Sequence, residues 1–272
     1  MEFFDGNLHA KKLEEQIAQH LASQAGDNRE LAIILIGDNP SSEKYVSVKQ
    51  KVAKRLGIEV NIYRFDPSKM QSLEMLVKGS DIIYSPKVKS VIVQLPLPSP
   101  RLYSLLTKIP YEKDVDMLSE GFKKKFYGGN LSRLSPIVRA VEYFISSNSL
   151  EIEGKNAVVV GRGELVGKPL AFYLKNKGAN VKIIDIPNNY KTGDYLDADL
   201  IVLSAGVPNL VRGEDISKDC NVIDFGSSVV DGKTVGDLDL NSKLKHLGVI
   251  SPSPGGMGPL VVRFLLMNHL GI

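Results

Sequence analysis

The 272-residue chain has one cysteine, no tryptophan and only four histidines, and no long apolar run. Each scarcity excludes something. A lone Cys220 cannot form an internal disulfide, and between Asp219 and Asn221, with no histidine beside it, it shows no sign of a nucleophile. A reducing compartment suits it. His9, His20, His246 and His269 are scattered, none at metal-ligand spacing, so no metal site is expected. No apolar stretch reaches the roughly 18 residues of a membrane span. The opening Met-Glu-Phe-Phe-Asp puts an acid where a signal peptide carries positive charge. The expectation is a cytoplasmic protein with no membrane partner. Charge of one sign is lacking too: 34 basic against 31 acidic side chains leave a formal net charge of +3, too little to argue for nucleic acid. The one basic run, Lys123-Lys124-Lys125, reads as a solvated turn.

What is present is an ordinary globular composition, 43% apolar and 24% charged, on a chain long enough for one large or two modest domains. Short runs rich in Val and Ile alternate with longer stretches at helical spacing. Strands are expected at 31–36, 59–65, 90–94, 157–160, 181–184, 200–204 and 222–225. Helices are expected at 7–22, 42–56, 69–79, 133–148 and 166–177. That alternation implies an α/β fold with parallel sheets. A polar stretch after the helix ending near Asn148 leads into a fresh strand, which suggests two domains. We place the first at 1–134 and the second at 135–252, with the tail 253–272, helical from about Leu260, returning to the first.

The run Ala157–Val160 leads into Gly161-Arg162-Gly163-Glu164-Leu165-Val166-Gly167-Lys168-Pro169. A strand, a glycine turn and a helix start make a dinucleotide cradle: the first glycine permits the tight turn, the second a close backbone approach, and the helix offers free N–H groups to phosphates. Asp185 ends the next strand, near where an acid accepts from an adenosine ribose hydroxyl. The same pattern also occurs as a tight turn without ligand.

In the first domain Tyr45 and Lys49 share a helical face at i and i+4. Gln94 ends an apolar strand before Leu-Pro-Leu-Pro, at the carboxyl end where α/β proteins place ligands. It could equally cap a loop. Lys113-Asp114-Val115-Asp116 puts two carboxylates in a loop after Pro110, where a solvated loop is the plain alternative.

Together these segments resemble the bifunctional methylenetetrahydrofolate dehydrogenase/methenyltetrahydrofolate cyclohydrolase (FolD) family. The matching pieces run in order: Tyr45-Val-Ser-Val-Lys49, Val93-Gln94-Leu-Pro-Leu-Pro98, Lys113-Asp-Val-Asp116, Val160-Gly161-Arg162, Val166-Gly167-Lys-Pro169, Val222-Ile-Asp-Phe-Gly226, Val235-Gly-Asp237 and Pro252-Ser-Pro-Gly-Gly-Met-Gly-Pro259. The resemblance implies an N-terminal folate domain, a Rossmann domain and a cleft between them. It implies oxidation of 5,10-methylenetetrahydrofolate with a nicotinamide coenzyme, then hydrolysis to 10-formyltetrahydrofolate. That is one-carbon chemistry of the kind that supplies purine biosynthesis, in a homodimer.

On the matching positions Lys49 would be the general acid/base, Gln94 would orient it, Tyr45 would stack on the folate and Asp116 would accept from the pterin. Pro254, Gly255 and Gly256 would lie near nicotinamide and folate. Gly161, Arg162, Gly163, Gly167, Asp185 and Ser227 would hold the coenzyme.

The departures fall mostly on the coenzyme side. The family usually reads Gly-Arg-Ser where this chain has Gly161-Arg162-Gly163, and Cys-His-Ser where it has Ile184-Asp185-Ile186. NADP is the family's coenzyme. Asp185 would repel a 2′-phosphate and makes NAD the alternative, while Arg162 argues for NADP. Ile137 stands in the family's Pro-Cys-Thr-Pro segment, Met117 replaces a glycine after Asp116, and Val261 replaces a threonine. These losses leave room for a cyclohydrolase without redox activity, for a relative that only binds, or for an NAD-dependent dehydrogenase of another small substrate.

Overall fold

The computed structural model describes residues 1–23, 27, 29–185 and 192–272; Ile186 lies outside them. In chain order the elements are β1 (Glu2–Phe3), α1 (Gly6–Ser23), β2 (Glu30–Ile36), α2 (Pro40–Arg55), β3 (Val60–Phe65), α3 (Ser72–Tyr84), β4 (Val88–Val93), α4 (Ser104–Lys108), α5 (Glu120–Tyr127), α6 (Pro136–Ser147), β5 (Asn156–Val160) and α7 (Gly167–Asn176). There follow β6 (Asn180–Ile184), β7 (Leu200–Leu203), β8 (Val211–Arg212), β9 (Asn221–Asp224), β10 (Ser228–Val230), β11 (Lys233–Val235), β12 (Leu238–Asp239), β13 (Val249–Ser251) and α8 (Met257–Leu270). The chain is α/β, and both of its larger sheets are parallel throughout.

It divides into two units, one of residues 13–136 with 262–272 and one of residues 1–12 with 137–261. The first is built on a three-stranded sheet, order β3-β2-β4. Its central strand, Glu-Leu-Ala-Ile-Ile-Leu-Ile, is buried along its whole length, as a parallel strand covered on both faces must be. The core under it joins Ile34, Ile36, Met75, Ile83, Val91, Leu102 and Leu105. Glu30 is buried at the start of β2, where Tyr63 donates to its carboxylate at 2.5 Å and Asn61 also donates. That bond, with burial, pushes the Tyr63 hydroxyl up to about 12.

The second unit carries a six-stranded sheet, order β1-β13-β9-β7-β5-β6. Its core includes Val158, Val160, Ile201, Leu203, Val222 and Ile250. The division departs from the expected boundaries at both ends of the chain. Glu2 and Phe3 pair in parallel with Val249 and Ile250, extending the ladder past β13, so the first residues belong to the larger sheet's unit. The tail crosses over only at 262. The turn before α8 is tied to that same unit, where Gly6 N donates to Gly255 O at 2.9 Å.

The segment 123–125 is no turn. It lies within α5, where the buried Phe122 and Phe126 flank the lysines and Lys125 Nζ sits 3.7 Å from the Tyr111 ring centre. Among the described residues no helix is long and apolar enough to cross a membrane.

Candidate active site

α2 begins on Asn39, whose side chain accepts from Ser42 N at 3.0 Å, with Pro40 in the first turn. A capped start and a proline where no N–H is needed fix the helix's first residue, and with it the direction of every later side chain. Val46, Lys49, Val52 and Ala53 face inward; Tyr45 is 43% exposed. Lys49 is only 8% exposed, and its Nζ donates to Gln94 Oε1 at 3.0 Å.

Gln94 follows β4 directly. Its N–H extends the ladder to Ile34 O at 2.9 Å, and its own amide donates to Leu95 O at 2.8 Å, before a cis Leu95–Pro96 bond. Both ends of the Gln94 amide are therefore used, which fixes the oxygen toward Lys49. Ser42 Oγ donates to the same Leu95 carbonyl at 3.1 Å and ties α2 to this loop. The neutral amide gives Lys49 Nζ an acceptor without an ion pair, so a nearly buried amine nitrogen stands at the carboxyl end of a parallel strand. The sequence expectations for Lys49 and Gln94 thus meet at one place.

The two carboxylates of the 113–116 loop differ. Asp114 is no solvated side chain: it is 1% exposed and accepts from Met117 N at 2.7 Å, Leu118 N at 3.2 Å and Ser119 N at 2.8 Å. Burial pushes its carboxyl up, against the pull of those donors. Val91 N donates to Lys113 O at 2.8 Å, which sets the loop beside β4. Asp114 thereby builds the turn, and Asp116 is half-buried and takes no part in those three bonds. Met117 adopts φ 62 with its side chain buried at 4%. The turn asks for a glycine conformation, and the methionine holds it against a cost of about 1 kcal/mol, offset by burial of its side chain.

In the other unit the glycine turn lies between β5 and α7. Gly161 has φ 98, and a Cβ there would stand 2.5 Å from Ser204 O; a Cβ on Gly167 would stand 2.0 Å from Gly161 O. Both are obligatory. Gly163 is different: a Cβ there meets nothing within 4 Å. The protein's own backbone thus crowds the first and third glycines and leaves open space at the second, where a close approach to a pyrophosphate is expected. α7 starts at Gly167 with no side-chain cap on Val166; Lys168 N instead donates to Gly163 O at 3.0 Å, and Pro169 needs no acceptor.

A cavity of about 500 Å³ opens here, lined by Gly161, Arg162, Gly163, Lys168, Asp185, Ser204, Ala205 and Val207. Lys168 pairs with Glu164 on its rim. The cavity joins four of the expected coenzyme residues; Gly167 braces the turn from outside the lining, and Ser227 is exposed one residue past Gly226. Pro254, Gly255 and Gly256 form the turn after β13, following a cis Ser253–Pro254 bond, with Gly256 N bonded to Pro252 O at 2.8 Å. Sequence reasoning missed Lys168, Ser204, Ala205 and Val207. Only Lys168 had a signal, a cation in the first turn of the helix.

The family model for the tetrahydrofolate dehydrogenase/cyclohydrolase catalytic domain matches residues 4–116, and that for the family's NAD(P)-binding domain matches residues 136–272. The chain belongs to the tetrahydrofolate dehydrogenase/cyclohydrolase family. It is 32% identical over 269 residues to the bifunctional protein FolD of Lactobacillus delbrueckii, covering 97% of this chain and 94% of that protein. The crystal structure of the bifunctional FolD enzyme of Campylobacter jejuni superposes with a TM-score of 0.92 at 31% identity, covering 100% of this chain and 98% of that one. The FolD of Trypanosoma brucei, solved with NADP cofactor and inhibitor, gives 0.89 at 30% identity, covering 98% and 95%.

Proposed function

We propose that this chain oxidises 5,10-methylenetetrahydrofolate to 5,10-methenyltetrahydrofolate with NADP and then hydrolyses the methenyl group to 10-formyltetrahydrofolate. The observation that carries the reading is the bond from nearly buried Lys49 to Gln94, on the pattern of a folate family. NADP fits the glycine cradle: a Cβ at either Gly161 or Gly167 would close it, and Arg162 and Lys168 bring positive charge to its cavity. When bound, the nicotinamide supplies the acceptor for the methylene hydride.

The chain's own residues do the rest. Lys49 Nζ moves the protons: as the neutral amine it takes one from the water that adds to the methenyl carbon, and as the ammonium so formed it returns one as the ring C–N bond opens. Gln94 Oε1 holds that nitrogen in place. Tyr45, exposed one turn before Lys49, offers its ring to the flat folate. Asp116 accepts from the pterin amino and ring N–H groups. On the family pattern Pro254, Gly255 and Gly256 border the nicotinamide, where a backbone without side chains allows close approach, and Ser227 adds a hydroxyl to the coenzyme side.

Asp185 on the cavity wall favours a second reading of coenzyme choice, NAD in place of NADP, because a carboxylate repels a 2′-phosphate. We expect a cytoplasmic homodimer whose product feeds purine biosynthesis; light scattering of the purified chain tests the dimer. The experiment for the function itself follows methenyl absorbance from methylenetetrahydrofolate with each coenzyme, and its decay. Product that decays supports both activities. Hydrolysis of supplied methenyltetrahydrofolate without oxidation of the methylene form leaves a cyclohydrolase alone.

A further inference from the structure

Two carboxylates of the coenzyme-type unit have no part in the reading above. Asp224 ends β9 and Asp237 precedes β12; they are 2% and 0% exposed. Buried charge needs compensation, and here backbone N–H groups provide it. Asp237 Oδ2 accepts from Ala205 N at 2.6 Å and Gly206 N at 3.1 Å, and its Oδ1 from Val207 N at 2.9 Å. Asp224 Oδ1 accepts from Gly226 N at 2.7 Å and Asp237 N at 3.2 Å, and its Oδ2 from Leu238 N at 3.0 Å. One aspartate thus holds the backbone of the other, and the second holds three consecutive residues of the loop after β7. Ala205 and Val207 of that loop line the coenzyme cavity.

The neighbouring glycines are cut to fit. A Cβ on Gly226 would stand 2.1 Å from Asp237 Oδ1, and one on Gly236 2.1 Å from Asp224 Oδ2. Ser228 Oγ donates to Gly206 O at 2.8 Å, and Asn209 N to Gly236 O at 3.0 Å. The sequence pieces Asp224-Phe-Gly226 and Gly236-Asp237 are therefore one interlocked device. Burial pushes both carboxyls up, Asp224 to about 7, so the N–H donors only partly offset desolvation. That cost is concentrated on a loop that lines the cavity.

We propose that Asp237, backed by Asp224, is a positioning residue for dinucleotide binding: its carboxylate fixes residues 205–207 as a wall of the coenzyme cavity. The proposal rests on the coenzyme reading of that cavity given above. An amide in place of the carboxylate would turn an NH2 group toward an N–H donor and lose at least one of the three bonds.

The test is calorimetric binding of NADPH to the full chain and to Asp237→Asn, alongside hydrolysis of supplied methenyltetrahydrofolate, which consumes no coenzyme. The NADPH Kd is expected to rise about tenfold, the loss of roughly one good hydrogen bond. The KM for coenzyme should rise in step, while kcat at saturating coenzyme and the cyclohydrolase kcat/KM stay within about twofold of the parent. Ser228→Ala loosens the same loop from its other side, with an expected rise of about threefold, and decides the matter if the Asn variant does not fold. An unchanged NADPH Kd in the folded variants overturns the proposal. So does an equal fall in NADPH affinity and cyclohydrolase rate, which marks a merely structural role. If the parent binds NADPH but does not oxidise methylenetetrahydrofolate, the folate reading falls while the Kd comparison still decides Asp237. If the parent binds no NADPH, the coenzyme reading and this proposal fall together.

Discussion

In one unit the candidate chemistry is carried by side chains: Lys49 and Gln94 meet at 3.0 Å, with Tyr45 one turn earlier on the same helix as Lys49 and Asp116 in the loop beside β4. In the other the cavity is shaped largely by backbone: a turn with two crowded glycines and a loop whose N–H groups are held from behind by Asp237. The two kinds of site fail differently. A side-chain site loses its reaction when one group is replaced and keeps its shape. A backbone site tolerates many side-chain changes and collapses where a Cβ enters. The departures from the family pattern follow that division, since Gly163 falls on a position with open space around it, whereas Lys49 and Gln94 are retained.

The largest effect expected is on the side-chain site. Lys49→Gln should lower both dehydrogenase and cyclohydrolase kcat by at least about a hundredfold, the usual worth of a positioned acid/base. The NADPH Kd should stay unchanged; a Kd that moved with kcat would break the contrast. On the backbone side, Gly161→Ala should destabilise the chain by about 3 kcal/mol, combining a disallowed φ of 98 with a Cβ 2.5 Å from Ser204 O. Urea unfolding measures it.

Acid should separate the units. His269, 4% exposed in the Lys49 unit, is held down to about 4 by burial, with Lys89 and Arg29 adding to the effect and Asp27 opposing it. Its unfolded form binds the proton first, so stability is lost as pH falls below the ordinary histidine range, by about 2 kcal/mol at pH 5. Asp224, raised to about 7 in the other unit, binds its proton more readily folded than unfolded; that contribution grows as pH falls from above 7 toward the ordinary carboxylate range. Hydrogen exchange at pH 7 and 5, corrected for intrinsic rates, should show protection falling near His269 relative to that near Asp224. His269→Leu should remove the fall.

Smaller still, Asp185→Asn should raise the NADP-over-NAD preference about fivefold, the worth of one partly screened charge contact, read from kcat/KM with each coenzyme. Gly163→Ser should change stability by less than about 0.5 kcal/mol, in contrast to Gly161.

Much of this was legible in the sequence. The Val/Ile runs of β2, β5 and β7 could bury only as parallel strands, and α2 was visible from the spacing of Val46, Lys49, Val52 and Ala53. The pairing of β1 with β13 was not: two residues carry no periodicity, and their partner lies some 247 positions away in the register of Glu2 with Val249. Nor could local pattern separate Asp114 from Asp116, because what distinguishes them is the three N–H groups that a turn delivers to one and not the other. The same holds for Asp224 and Asp237, whose donors come from three separate loops. Polar residues that build a turn and polar residues that serve a ligand look alike until the backbone around them is known.

The most direct measurement mixes the purified chain with methylenetetrahydrofolate and NADP and follows methenyl absorbance, in parallel with Lys49→Gln. The account predicts a methenyl signal that rises and decays in the parent, and about a hundredfold less of both steps in the variant. Equal turnover in the two proteins would contradict it, as would a parent that neither forms nor hydrolyses the methenyl product.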